Sequence, residues 1–309
     1  MKPTQVIALL IAVFLSGFAL RDAFDPAAAE PIAPAERPAA PTPTEQRARV
    51  YLFRGFAGMV FARGMDALAE RIEQAGFTAS VNEAVMCPII AKEVIRDYRA
   101  NPAPIVAIGH SVGSACALAL AEMLNAENIP VSLLVTTDPA RIAHDVPLNV
   151  ERYINIFQSN SVLGGHDVIP TKGFQGHYAS YDLVEHTDLT HLNIEKSESI
   201  HEQVVAKIQQ LAATPAKAEG EAVPIRYTVP ANAAIELWDS GTPVFAHRGD
   251  TLQTLAALYR VPLWSLTQIN RVSDNAPLAP GQRVTIPRHL VPLAAPNNGA
   301  VSSQPPPKR

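Results

Sequence analysis

The stretch Ile105–Leu120, IVAIGHSVGSACALAL, admits few folds. A β-branched apolar run ends in Gly109, an alanine-rich, helix-prone run follows Gly113, and Ser111 stands between the two glycines. A chain that passes from strand to helix through one serine must turn so sharply that a Cβ on either flank would strike the neighbouring strand or helix. The serine hydroxyl is then raised above the end of its strand, and the following helix aims its free N–H groups and positive end at the same point. Gly-x-Ser-x-Gly at a strand-to-helix junction is the pattern of a nucleophile elbow.

The surrounding residues supply the alternation that such a turn needs. Strands are expected at 50–56, 77–81, 104–109, 131–137 and 152–157. Between them Met65, Leu68, Ala69 and Ile72 repeat at helical spacing, with Gly76 placed to end the helix, as do Ala91, Val94, Ile95 and Tyr98. A helix over 112–125 follows the serine. A last one carries Val204, Ile208 and Leu211 on its core face, with Ser199 and Glu202 as a capping box. Strands alternating with helices imply βαβ units. The fold class is therefore α/β, a mostly parallel sheet with helices on both faces and with reactive groups beyond the carboxyl ends of the strands.

A serine hydroxyl attacks only when a base takes its proton and a carboxylate orients that base. In this architecture the chain order is serine, acid, histidine. Asp138 directly follows the strand 131–137 and is the expected acid; Asp167 is its rival, and Asp182 and Asp188 are weaker. Of the histidines beyond it, His144, His166, His177, His186, His191 and His201, His144 is close behind Asp138 and His201 falls inside the closing helix; His186 is the rival base. His191, on the loop entering that helix, is the expected base. His110 adjoins the serine and is expected to pack or cap, pointing away from it. The oxyanion donors are expected to be the backbone N–H groups of Val112 and of Phe56, the latter in RGFAG after the first strand.

A second block, 244–287, reads as strand, two short helices and strand, with Leu252, Leu255 and Ala256 on one helical face and Leu263, Leu266 and Ile269 on the other. Asp250 is placed to cap the first of these helices. The segments 26–47 and 213–224 are Pro/Ala-rich linkers, and 290–309 is expected to be disordered. At the N-terminus Lys2 precedes an uncharged apolar stretch at 6–20, short for a membrane span and suited to an export signal or signal anchor within 1–25. The blocks are thus 48–212 and 225–289, the latter including a strand-like extension of unassigned role. A net charge of −4 gives no hint of a nucleic-acid partner. Cys87 and Cys116 are the only cysteines, too few for a zinc site or a disulfide framework. Cys116 reads as a small buried hydrophobe, with a single bridge between the two left open. No cofactor or metal is expected.

Residues 48–212 resemble a compact α/β-hydrolase of the lipase/esterase type. GHSVG matches its elbow, DPA (138–140) its acid placement and RGFAG its oxyanion loop, although Arg54 replaces the usual histidine. The resemblance implies a serine hydrolase acting on a small-molecule or lipid carboxylic ester, and the shortness of the block implies an open site without a lid domain. In the second block GDTL, YRVP, QIN, L-x-P-G-Q and IP resemble the LysM domain. That resemblance implies a βααβ module gripping N-acetylglucosamine-containing glycan, typically peptidoglycan, with a groove bordered by Gly249, Asp250, Thr251, Leu252 and Asn270. The combined expectation is an exported esterase of the periplasm or cell envelope, held to the wall by its LysM module. The alternatives are a non-catalytic glycan-binding envelope protein, or an amidase or acyltransferase acting on wall components.

Overall fold

The computed structural model describes residues 47–56, 63–211 and 220–291. The expected export segment, most of both linkers, the end of the RGFAG loop (57–58) with the residues up to 62, and the tail from 292 lie outside the described residues. Seven parallel strands form one sheet: β1 (Arg49–Arg54), β2 (Thr78–Glu83), β3 (Ile105–His110), β4 (Leu133–Thr137), β5 (Arg152–Phe157), β6 (His177–Asp182) and β7 (Ile225–Thr228), in the order β2-β1-β3-β4-β5-β6-β7. The central strands β3, β4 and β5 are buried at every residue, which is why they read as apolar runs instead of alternating ones.

Helices cover both faces. α1 (Gly64–Gln74) and α4 (Glu198–Gln210) bury Met65, Leu68, Ile72, Ile200, Val204 and Ile208 against Leu52, Ile108, Val135 and Ile156. α2 (Cys87–Ala100) and α3 (Val112–Ala126) pack Ala91, Val94, Ala117 and Leu118 against Phe53, Ala107, Leu134 and Tyr153 on the other face. Because α1 and α2 lie on opposite faces, the winding reverses between β1 and β3. The carboxyl ends of those two strands therefore diverge into a crevice, the place where open α/β sheets bind ligands. Cys87 and Cys116 form a disulfide joining α2 to α3, with Cα atoms 5.6 Å apart, so the bridge is made.

The C-terminal module consists of β8 (Trp238–Phe245), α5 (Leu252–Tyr259), α6 (Leu263–Asn270) and β9 (Arg283–His289), the two strands antiparallel. Leu252, Leu255, Leu266, Val284 and Ile286 form its core. Several expectations change here. β6 carries no clear sequence signal, since polar His177, Ser180 and Asp182 interrupt it, yet it is buried between β5 and β7. Residues 225–228, placed by sequence in the second block, are the seventh strand of the main sheet, because Ile225 and Tyr227 complete the core under α4. α4 starts one residue after Ser197, and Ser199 instead donates to the Ile235 carbonyl. α5 is capped by Thr251, in a reciprocal pair with Thr254; Asp250 accepts the His247 N–H one turn earlier.

Candidate active site

Ser111 lies between β3 and α3 at φ 57°, ψ −122°, a conformation that costs a non-glycine residue about 1–3 kcal/mol. Its flanks show why they are glycines. A Cβ on Gly113 would sit 2.2 Å from the Phe53 carbonyl oxygen, and one on Gly109 would sit 2.4 Å from the Gly113 oxygen. Gly55, after β1, would put its Cβ 3.2 Å from the Ser111 Cβ, so the loop carrying Phe56 begins beside the serine. Arg54, at the end of β1, forms ion pairs with Asp66 and Glu83. At the start of α1 the Met65 N–H donates to Glu195 at 3.0 Å, and burial pushes the Glu195 carboxyl up.

The Ser111 turn is stitched to the turn after β4. The Ser111 N–H donates to the Thr137 carbonyl at 3.0 Å, and the Ala140 N–H donates to the Ser111 carbonyl at 3.1 Å. Between these contacts stands Asp138, with no exposed surface and φ 41°. Its carboxylate accepts four hydrogen bonds: from the N–H of Gln158 (3.1 Å), the N–H of Gly165 (2.9 Å), the Ser161 hydroxyl (2.6 Å) and His191 Nδ1 (2.6 Å). Burial alone would raise this carboxyl, but the bonds from His191, Ser161 and Gln158 outweigh it and hold it below the usual range.

A carboxylate only accepts, so His191 Nδ1 carries the hydrogen that it donates to Asp138, which leaves Nε2 as the ring nitrogen turned from the carboxylate. Among the described residues no hydrogen bond joins His191 to the Ser111 hydroxyl, a contact that commonly tightens only with substrate bound. The neighbour that fixes His191 is His110. Its ring centroid lies 4.8 Å from that of His191, and its Nε2 donates to the His191 carbonyl at 2.9 Å. Sequence reasoning expected His110 to pack or cap, turned from the serine; it does pack, and its partner, which the sequence did not indicate, is His191. Burial, with the neighbouring His191, pushes His110 down to about 4, so it stays neutral and its Nδ1 is a buried lone pair without a partner.

The rival residues go elsewhere. Asp167 pairs with Arg226 and accepts the Ser180 hydroxyl, Asp182 accepts the N–H groups of Ser159 and Val184, and Asp188 is exposed. His177 bonds Ser240 and Asp239 at the amino end of β6, His201 is tied to the Glu195 carbonyl, and buried His186 accepts the Gln158 side-chain amide at its backbone carbonyl. Ser161, Gly164 and Gly165, which cradle Asp138, were missed. The one sequence signal was the paired glycine after β5, where a Cβ on Gly164 would meet Asp138 Oδ2 at 2.6 Å.

In the C-terminal module the loops expected to border a groove do meet, through a bridge between Thr251 and Pro277 and a bond from the Leu278 N–H to the Asp250 carbonyl. Gly249 is exposed at φ 93°. Two of the expected side chains are otherwise engaged. Leu252 is fully buried, and the Asn270 amide spends all its bonds on Leu266 and Thr285. Among the described residues no cluster of three or more His, Cys, Asp or Glu side chains is arranged to hold a metal ion.

Residues 247–287 match the LysM domain family, and this segment is a LysM domain. No curated protein matches the chain. Among solved structures, it is similar to a protein described as a hydrolase of the alpha/beta superfamily from Xanthomonas campestris pv. campestris, at 18% identity over 56% of this chain and 97% of that one, TM-score 0.32. It is also similar to the RedJ thioesterase of prodiginine biosynthesis in Streptomyces coelicolor (17% identity, 35% of this chain and 48% of that one, TM-score 0.24). A third is human thioesterase 2 (18% identity, 33% and 46%, TM-score 0.22). The similar part spans about half the length of the two thioesterases.

Proposed function

We propose that the chain is an exported serine hydrolase that cleaves carboxylic esters and is held to N-acetylglucosamine-containing glycan of the cell envelope by its LysM domain. The observation that carries this reading is the 2.6 Å bond from His191 to a fully buried Asp138, on a turn stitched to a strained Ser111. In this reading the Ser111 hydroxyl passes its proton to His191 Nε2 as its oxygen attacks the ester carbonyl carbon. Asp138 steadies the imidazolium, and the N–H groups of Val112 and Phe56 receive the oxyanion. Collapse breaks the C–O bond, and the leaving alkoxide takes the proton from Nε2. Water then repeats the sequence on the acyl-serine and releases the acid.

Exposed Phe56, Val162 and Leu192, on loops beyond β1, β5 and beside His191, give the rim an apolar border suited to the acyl part. Export is supported by the apolar stretch 6–20 and by the Cys87–Cys116 bridge, since disulfides persist in oxidising compartments. A fluorophosphonate probe tests the chemistry. The expected result is labelling of the wild type that vanishes in Ser111→Ala, alongside turnover of p-nitrophenyl esters. An unlabelled wild type that still binds chitooligosaccharide identifies a non-catalytic binding protein instead.

A further inference from the structure

The LysM domain packs directly against the sheet. The Trp264 ring of α6 lies 5.4 Å from Tyr227 and 5.9 Å from Trp238, centroid to centroid, and Trp238 is fully buried. Gln268 closes a two-way pair with the backbone of Thr228, accepting its N–H at 3.0 Å and donating to its carbonyl at 2.9 Å. Thr228 is the last residue of β7, so α6 is pinned at the carboxyl rim that also carries Ser111. Four strand spacings separate β3 from β7, about 19 Å.

Along that rim, between the strand leading into the Asp138 cradle and α6, runs an open cleft of about 400 Å³ lined by Phe157, Asp167, Asp182, Arg226, Thr228 and Gln268. Both modules contribute to it. Next to Gln268, Thr267 donates to Asp274 at 2.8 Å, which ties α6 to the segment that follows it, beginning at Asn270, one of the residues expected to border the glycan groove. The lining mixes carboxylate acceptors, a guanidinium donor already paired with Asp167, and a hydroxyl, while the Gln268 amide is taken up by Thr228. Two carboxylates against one cation disfavour a phosphate, and the polarity disfavours an acyl chain. Hydroxyl and acetamido groups match this mixture.

We propose that this cleft binds saccharide, and that the ester cleaved at Ser111 is borne on a glycan that the LysM domain holds at the same time. This rests on the esterase reading above. A flexible tether would concentrate any ester near the wall, whereas a rigid junction favours only a bond at one fixed offset from the gripped sugar. The acyl part then meets the apolar border and the sugar alcohol points along the polar cleft. Hydrolysis releases the acid and restores the sugar hydroxyl.

The test compares kcat/KM for O-acetylated chitooligosaccharides, from dimer upward, with that for p-nitrophenyl acetate. In the wild type the ratio should rise at least about tenfold with length. Thr228→Trp, which fills the cleft, and Arg226→Ala, which empties it, should each remove most of that rise, with folding checked by thermal melting. A ratio flat with length, or a rise unchanged in both variants, overturns the proposal. If neither ester is turned over, the esterase reading fails by itself. Calorimetric titration with unacylated oligomers then decides the cleft: weaker binding in both variants upholds it, and affinities equal to wild type remove it.

Discussion

Two aspartates, each with no exposed surface, sit at opposite ends of one sheet. Asp138 lies beyond the carboxyl end of β4, held by two backbone N–H groups, a hydroxyl and one imidazole. Asp239, in β8, reaches the amino ends of β5 and β6, where Lys207 (3.3 Å), Arg152 (3.5 Å) and His177 (3.3 Å) surround it. Burial pushes both carboxyls up and their partners pull both down below the usual range. The difference lies in the kind of partner. Around Asp239 two buried cations, Lys207 and Arg152, share the carboxylate with His177, and the group ties β8 to the sheet. Around Asp138 the partners are two backbone N–H groups, a hydroxyl and an imidazole that packs on His110, the residue before Ser111. In the proposed function that imidazole is the base.

The sharpest way to break this contrast is Asp138→Asn. Losing the tautomer control over His191 should lower kcat on p-nitrophenyl esters by about 10⁴-fold. Urea unfolding should move less than in the next variant, and an equal loss of stability would make Asp138 merely another structural anchor. Asp239→Ala strands buried cations and should cost about 3–5 kcal/mol in urea unfolding. Its kcat per folded molecule should stay near wild type; a large drop would mean that the tie at Asp239 reaches the site.

His110 offers a pH handle. Its value falls from 6.5 to about 4 on folding, so the unfolded chain binds the proton first as pH drops. This contribution should be nil above pH 6.5 and should reach a loss of about 3 kcal/mol near pH 4. His110→Phe should remove that part of the acid sensitivity while loosening His191, read as a lower kcat. The smallest effect belongs to Gln268→Ala, where the freed Thr228 groups are within reach of water. About 1 kcal/mol of stability should be lost, with faster amide exchange at Thr228. No change in exchange would mean that α6 is not pinned there.

Much of the site was legible because its demands are local. The turn at Ser111 needs its glycines within two residues of the serine, and Asp138, the expected acid, directly follows a buried strand. The cradle of Asp138 was not legible, since Ser161 and Gly165 act across 23 and 27 residues through contacts that no periodicity records. β6 was hidden for a related reason. Its Ser180 is satisfied by Asp167 and Asn155 from neighbouring segments, so a polar residue lies comfortably in a buried strand.

The amino-acid order alone determined the alternating α/β layers, the raised serine and the LysM segment, because each reflects burial patterns repeated over a few residues. Only the tertiary structure decided that His110 braces His191, that Ile225–Thr228 joins the main sheet, and that the LysM domain is fused to the rim. Those outcomes depend on which distant groups become neighbours, and that is settled by the packing of the whole core.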